Sequence, residues 1–293
     1  MYDDILNNTP ASEQSGQQLS KEEYAAKKKE ERDGVFALSE DTALAVSEDD
    51  GKFQQYLDVQ SKFDRYSAVN AMLIMAQKPD ATRVADFEYW KGKGGFVKRD
   101  QTGIAILEPH EYLKEDGSTG VGYNVKKVFD VSQVDTRKMQ AAPPPPTYND
   151  RQILGALISK YPMKITGVDT LPDNRGAMTD TDGTILVRKG MEFSDTFRSV
   201  AFEMACAEVA TDPELSPAQE FSAYSATYLL CKKYGADTKN FQFDSASSVF
   251  KGMDAQEIRK ELSQIRDTAE SISGRMAKQL DAVSKAARNQ DAR

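Results

Sequence analysis

The sequence predicts an α+β protein of two domains: an N-terminal unit of helices followed by strands, and a C-terminal unit closed by a long helix. Three observations carry this. Apolar residues recur at helical spacing between Lys52 and Ala76, then give way to strand-type runs at 103–107 and 123–129. Four consecutive prolines, Pro143 to Pro146, can continue neither a helix nor a central strand and read as an extended spacer. From Asp254 onward, Ile258, Leu262, Ile265, Ala269, Ile272, Met276, Leu280 and Val283 follow one another at steps of three or four, the pattern of one amphipathic helix. The chain therefore divides into a polar tail with a short helix (1–49), a helix-then-strand domain (50–138), a proline-rich linker (139–148), a second domain (149–253) and the C-terminal helix (254–293).

Composition bounds what such a chain can be. With 39% apolar and 29% charged residues in 293, it is of the soluble globular class. No apolar run approaches the roughly 20 residues that span a bilayer, and the N-terminus is acidic and polar rather than signal-like, so the expectation is a cytoplasmic protein with no membrane partner. Cys206 and Cys231 lie inside helical apolar patterns and read as reduced core thiols. A net charge of -8 excludes a basic coat, so any nucleic-acid contact must be local. Lys91, Lys93, Lys98 and Arg99 do cluster, and on charge alone they form either a phosphate contact or a solvated loop. The single histidine, His110, sits in a turn-like Glu-Pro-His-Glu, so no two-histidine zinc site can be built.

Residues 1–19 are too poor in apolar groups to offset the entropy of ordering and read as a mobile tail. Ser20 and Glu23 form a capping box for a short, mostly polar helix. A helix with Phe53, Tyr56 and Leu57 follows, and another begins after Ser67, places Val69, Met72, Leu73 and Ala76 on one face, and stops at Pro79. A short helix near 85–91 carries Phe87 and Trp90, both expected in the core, before Gly92, Gly94 and Gly95 make a flexible turn. After the linker come a helix with Ile153, Leu154, Leu157 and Ile158, a strand at 163–168, and the turn Asp182-Gly183 ahead of a strand from Thr184 to Val187. A helix beginning near Ser194 or Asp195 has Phe197, Val200, Ala201, Met204, Ala205 and Val209 as its apolar face, and the next contains Tyr224 and Tyr228-Leu229-Leu230-Cys231. The first half of the C-terminal helix is expected to pack on its own domain. Its second half either docks likewise or pairs with a second copy as a coiled coil, giving a homodimer.

Tyr66-Ser67, Asn70, Leu73-Ile74, Gln77, Pro79, Ala81-Thr82, Trp90, Val97-Lys98 and Gly103-Ile104-Ala105-Ile106-Leu107 resemble the N-terminal domain of the ArdC anti-restriction family of conjugative plasmids and related elements. Val128-Phe129-Asp130-Val131-Ser132-Gln133 resembles that domain's closing segment. The resemblance spans roughly 50–135 and implies a single-stranded DNA-binding module. Bases of a single strand stack on aromatic faces while Lys and Arg follow the phosphates. On that reading the binding candidates are Tyr66, Asn70, Trp90, Lys91, Lys93, Phe96, Lys98, Arg99, Lys126 and Lys127, with Phe96, between glycines and basic residues, best placed to stack. The family's Lys-Gly-Glu-Lys-Gly-Ile stretch here reads Arg99-Asp100-Gln101-Thr102-Gly103-Ile104, losing a glycine and a lysine.

The order of elements after the linker, together with Tyr228-Leu229-Leu230-Cys231 and Gly235-Ala236-Asp237-Thr238, is similar to the zincin-like metallopeptidase domain of the same family. Such a domain carries His-Glu-x-x-His, two imidazoles on one helix face holding zinc and a glutamate that polarises water. Phe202-Glu203-Met204-Ala205-Cys206 stands in that place, and Ser222-Ala223-Tyr224-Ser225 stands where relatives keep Glu-Ala-Glu-Ser. The resemblance thus implies that Phe202, Cys206 and Tyr224 replace the three ligands and that Glu203 is vestigial, with Tyr224 a candidate hydrogen-bond partner for it. No catalytic residue, metal or cofactor is expected. The function this implies is a non-catalytic single-stranded DNA-binding protein of a mobile genetic element, an accessory in conjugation or anti-restriction with a metal-free peptidase-like scaffold. Two other readings stay open: an acidic protein that contacts a host restriction or defence factor directly, and, weakest, a working metallopeptidase.

Overall fold

The computed structural model describes residues 20–140, 145–212 and 214–291. The expected tail at 1–19, and Pro143 and Pro144 of the spacer, lie outside the described residues. Helix α1 (Lys21–Glu48) starts at the Ser20–Glu23 capping box, formed from both sides. It runs well past the short polar helix expected because its second half is buried through Val35, Ser39, Thr42, Ala43, Val46 and Ser47. Small residues fill that buried face, and the hydroxyls of Ser39 and Thr42 are satisfied by the carbonyls of Phe36 and Leu38. Such a face carries little apolar signal. Helix α2 (Asp50–Lys62) buries Phe53, Tyr56 and Leu57, and α3 (Ala68–Gln77) is N-capped by Ser67. α3 buries Ala71, Ile74 and Met75 as well as Met72 and Leu73, while Ala76 is exposed, because the helix is covered on several sides by α1, α2 and a sheet.

That sheet comprises β1 (Val84–Ala85), β3 (Ile104–Leu113) and β4 (Thr119–Asp130) in the antiparallel order β1-β4-β3, with α4 (Phe87–Gly92) following β1. β2 (Phe96–Val97) pairs separately with β5 (Val134–Asp135). Glu108-Pro109-His110-Glu111, read from sequence as turn-like, continues β3. The turn lies later, at Asp116-Gly117, where Gly117 has φ 80° and Asp116 Oδ1 accepts from Ser118 N–H at 2.9 Å. Pro109 fits inside the strand because it shares the outward-facing alternation of Ala105 and Leu107, where a missing N–H removes no ladder bond.

The outward edge of β3 is closed by two side-chain amides. Asn70 donates to Leu107 O at 2.9 Å and accepts from Leu107 N–H at 2.8 Å. Gln77, two turns further along α3, does the same for Ala105 at 2.8 and 2.9 Å. At the far end of β4, Asp130 is buried and its carboxylate accepts from the N–H groups of Thr82 (2.7 Å), Arg83 (2.9 Å) and Ser132 (2.8 Å). Burial acts to raise its pKa, but the hydrogen bonds from Ser132, Arg83 and Thr82 outweigh it and hold the carboxyl at about 2.

After the proline-rich segment come α5 (Asp150–Ile158) and a second sheet of β6 (Ile165–Val168), β7 (Ala177–Thr179) and β8 (Ile185–Arg188), ordered β6-β8-β7, with β6 parallel and β7 antiparallel to β8. The β7–β8 turn carries the expected Asp182-Gly183, with Gly183 at φ 74°. Helix α6 (Phe193–Val209) buries the six apolar residues its spacing marks, and α7 (Pro217–Tyr234) begins at a capping box of Ser216 and Gln219. A short α8 (Ala246–Val249) precedes α9 (Ala255–Asp291).

One apolar core runs through both sequence halves. Phe53 of α2 lies 5.1 Å from the Phe221 ring and 5.5 Å from Phe243, and the Asp58 carboxylate meets Tyr228 and Lys232 of α7 at 2.7 and 2.9 Å. α9 lies against α1, α3, α5, α6 and α7, burying its stripe from Ile258 to Leu280 on its own chain while Val283 stays exposed. Its Arg275 donates to the Leu157 and Ser159 carbonyls (2.7 and 2.9 Å), satisfying the open end of α5. No helix among the described residues is long and apolar enough to cross a membrane.

Asn70→Ala leaves the buried N–H and C=O of Leu107 without partners and is expected to cost about 2–4 kcal/mol in urea unfolding, against less than about 0.5 kcal/mol for exposed Lys91→Ala. Asp130 stabilises the fold above its ordinary pKa of 3.8, and that contribution is lost as pH falls from there to about 2. Asp130→Asn should therefore be less stable at neutral pH and show a flatter stability profile across that acid window, measured by thermal melts at stepped pH.

Candidate functional sites

Two regions gather the candidate residues. The first is the surface around α4 and β2. Asp86 N-caps α4 by accepting from Tyr89 N–H at 2.8 Å, and Trp90 then points inward. Trp90 is fully buried, its indole N–H donates to Phe129 O at 2.9 Å, and Arg83 lies 5.0 Å from its ring centroid. Its faces are occupied by the protein, which corrects its candidacy as a base platform. Phe87, expected in the core, is 47% exposed, and Tyr89, which the sequence reading did not single out, is 48% exposed. With Trp90 fixed inward, Tyr89 is turned about 100° away round the helix and toward solvent; that geometry is the signal that identifies it.

Phe96 on β2 is 53% exposed, and α4 packs against β2, so the three exposed rings lie on adjoining elements with Lys91, Lys93, Lys98 and Arg99. Lys91, Lys93 and Arg99 make no ion pair among the described residues, whereas the Lys98 ammonium donates to Ser132 O at 2.8 Å. The glycine turn between α4 and β2 is packed rather than loose. A Cβ on Gly94 would stand 2.6 Å from Lys138 O, and one on Gly95 would stand 2.9 Å from Val134.

The remaining candidates stand apart from this surface. Lys126 is neutralised by Asp86 (3.1 Å) and Glu108 (2.9 Å), and Lys127 meets Glu31 at 3.6 Å. Asn70 is committed to the β3 backbone, so its role is to hold the sheet, a correction to its place among the binding candidates. Tyr66 is half-buried, with its hydroxyl 3.5 Å from Val84 O.

The second region is a cleft between α6, α7 and β7, in two adjoining cavities of about 370 and 400 Å³ that share Arg175, Phe202, Glu203 and Glu220. Phe202, Glu203, Cys206 and Tyr224 all line it, so the fold does bring the replaced positions together. Glu203 takes its hydrogen bonds from Thr179 on β7, whose N–H and hydroxyl both donate to Oε2, at 2.9 and 2.7 Å. Tyr224 is not its partner. The Tyr224 oxygen accepts from Gln242 N–H at 3.1 Å and its ring lies 4.8 Å from Phe241, which turns the hydroxyl toward the chain after α7.

These side chains do not suit the divalent ion that a zincin-like cleft implies. Phe202 offers no donor atom, and the Glu203 carboxylate is already engaged by Thr179. Burial, and then the charges of Glu203 and Glu220, push the Cys206 thiol up to about 12, which disfavours the thiolate a metal needs. Among the described residues, no group of three or more His, Cys, Asp or Glu side chains is arranged to hold a metal ion. His110 lies on the exposed stretch of β3, its ring over Gly122.

Residues 44–142 match the family model described as the N-terminal domain of anti-restriction factor ArdC. This segment is similar to the N-terminal domain of ArdC. The match begins inside α1, in its buried second half, and runs past β5. Two crystal structures of the antirestriction protein ArdC from plasmid R388 are similar to the chain. The metal-free one is 16% identical with a TM-score of 0.46, and the Mn(II)-bound one 15% identical with a TM-score of 0.47. Each comparison covers 72% of this chain and 84% of that one. No curated protein matches significantly. Within the matched segment Phe87, Tyr89 and Phe96 are exposed on α4 and β2 and Tyr112 and Tyr123 on the β3–β4 ribbon, while the polar residues Asn70, Gln77 and Asp130 hold backbone.

The state of Cys206 gives a direct check on the cleft. With its thiol raised from an ordinary 9.0 to about 12, its reaction with iodoacetamide at pH 8 should be far slower than that of an unfolded-chain cysteine, and Glu203→Gln, which removes one of the charges responsible, should speed it. The same shift means that stability held below pH 9 declines as pH rises from there toward 12.

Proposed function

We propose that the chain is a non-catalytic single-stranded DNA-binding protein serving an anti-restriction or transfer role for a mobile element, with its C-terminal half kept as a peptidase-shaped scaffold. The observation that carries the first part is the exposure of Phe87, Tyr89 and Phe96 beside Lys91, Lys93, Lys98 and Arg99 on an ArdC-type domain. Large rings left in water beside unpaired cations are what a flexible strand with splayed bases and a phosphate backbone can use. The overall charge of -8 requires that such contact be made by local basic surface rather than by a basic coat. Support for the second part comes from the cleft, where the hydrocarbon of Phe202, the protonated thiol of Cys206 and the phenol of Tyr224 stand where the resemblance places the ligands.

Fluorescence anisotropy with labelled oligonucleotides tests the binding. The expected result is salt-sensitive preference for single strands over duplex, with Phe96→Ala weakening affinity about fivefold to a hundredfold, the equivalent of one lost stacking partner at about 1–3 kcal/mol. Equal or absent affinity for both forms would overturn the reading. Elemental analysis of the purified protein tests the scaffold: no stoichiometric zinc or manganese is expected, and chelator should leave both the melting temperature and any background proteolysis unchanged.

A further inference from the structure

Tyr66 faces two ways. Its hydroxyl approaches Val84 O, two residues before Asp86, the N-cap of α4, and burial raises its pKa, with the charges of Lys126 and Asp86 acting in opposite directions. On the other side it lines a groove of about 700 Å³ formed between α1, the start of α3, the β3–β4 ribbon and the first turns of α9. That volume lies within the roughly 300–1,000 Å³ of sites that hold small organic groups. Phe36 of α1 and Tyr123 of β4 form a further aromatic wall, their ring centroids 5.8 Å apart and edge to face.

Three arginines, Arg65, Arg259 and Arg266, line the same groove. Glu40 holds Arg259 at 3.4 Å. Arg65 is exposed and has no ion pair or hydrogen bond among the described residues. Arg266 directs its terminal nitrogens to Asp267 and Glu270, but its Nε–H is buried and has no acceptor. A buried donor without an acceptor is costly unless something supplies one.

We propose that this groove is a second segment of the single-strand path, in which Tyr66 and Tyr123 receive base faces and Arg65, the exposed and unpaired arginine, receives a phosphate oxygen. The proposal rests on the reading that the ArdC-type domain binds single-stranded DNA, and adds that the C-terminal helix builds one wall of the site. Charge and ring chemistry together select the occupant. An acidic peptide would answer the arginines and leave the rings unused, and a duplex keeps its base faces stacked away from them. Tyr66 carries the groove as far as Val84, three residues ahead of α4.

The test uses the full chain and oligothymidylates of about 6 and about 16 nucleotides, the longer one at the upper end of the roughly 4–16 nucleotides that one single-strand-binding fold covers. Arg65→Ala is expected to weaken binding of the longer strand at least about fivefold and to lower its salt slope by about one, because one phosphate contact is lost. Tyr123→Ala should weaken it about tenfold, and 5-iodouridine in the longer strand should crosslink to peptides containing Tyr66 or Tyr123. Arg65→Glu, at the same exposed position, should weaken it further without changing the melting temperature. The proposal is overturned if the wild type binds the longer strand in a salt-sensitive way while Arg65→Ala, Arg65→Glu and Tyr123→Ala all match it within about twofold. A wild type that binds neither strand overturns the underlying reading instead.

Discussion

Strand β3 has a strand neighbour on one side only, and the N-terminal domain depends on how its other side is closed. Asn70 and Gln77 present their amides to the backbone of Leu107 and Ala105, each donating and accepting as a neighbouring strand would. An open, apolar strand edge is a template for pairing with another chain. Here a helix supplies the missing ladder, and Ile104 to Leu107 are buried with both α3 and α1 packed against the strand. The ribbon beyond Leu107 then projects with Tyr112, Leu113, Val121 and Tyr123 exposed.

A second fixed point orients the exposed surface. Asp130 gathers the N–H groups of Thr82, Arg83 and Ser132, which ties the chain ahead of α4 to the end of β4. One residue earlier, Phe129 O takes the Trp90 indole N–H and sets the rotation of α4. Burying Trp90 leaves Tyr89 facing solvent. The aromatic exposure beside the basic loop therefore follows from buried hydrogen bonds rather than from the aromatic residues themselves.

In the C-terminal half, α6, α7 and β7 form a cleft lined by Phe202, Glu203, Cys206 and Tyr224. A part-buried carboxylate is costly without hydrogen-bond partners. Thr179, from the strand alongside α6, donates twice. The neighbouring thiol is kept neutral by the same burial and by the carboxylates around it. Arg275 of α9 ties the end of α5 to this half, while Arg259 and Arg266 of the same helix reach the groove of the N-terminal domain. One helix thus braces the cleft and lines the groove.

The sequence by itself determined the elements whose apolar residues repeat regularly: the buried face of α6 and the stripe of α9 from Ile258 to Leu280 both follow from spacing, and the caps at Ser20 and Ser67 from residue type. It also marked the four positions Phe202, Glu203, Cys206 and Tyr224 that the fold gathers into one cleft. It missed the second half of α1, where small and hydroxylated residues are buried, and the continuation of β3 through Pro109, where a residue that usually breaks strands sits at an edge that needs no N–H. Tertiary structure alone decided which polar residues hold backbone and which reach solvent, because a side chain such as Asn70 looks the same in sequence whether its partner is a phosphate or a carbonyl thirty-seven residues away. The joining of Phe53 to Phe221, and of Tyr66 to the arginines of α9, was likewise invisible beforehand, since contacts between distant segments depend on how whole helices pack and leave no local periodicity to read.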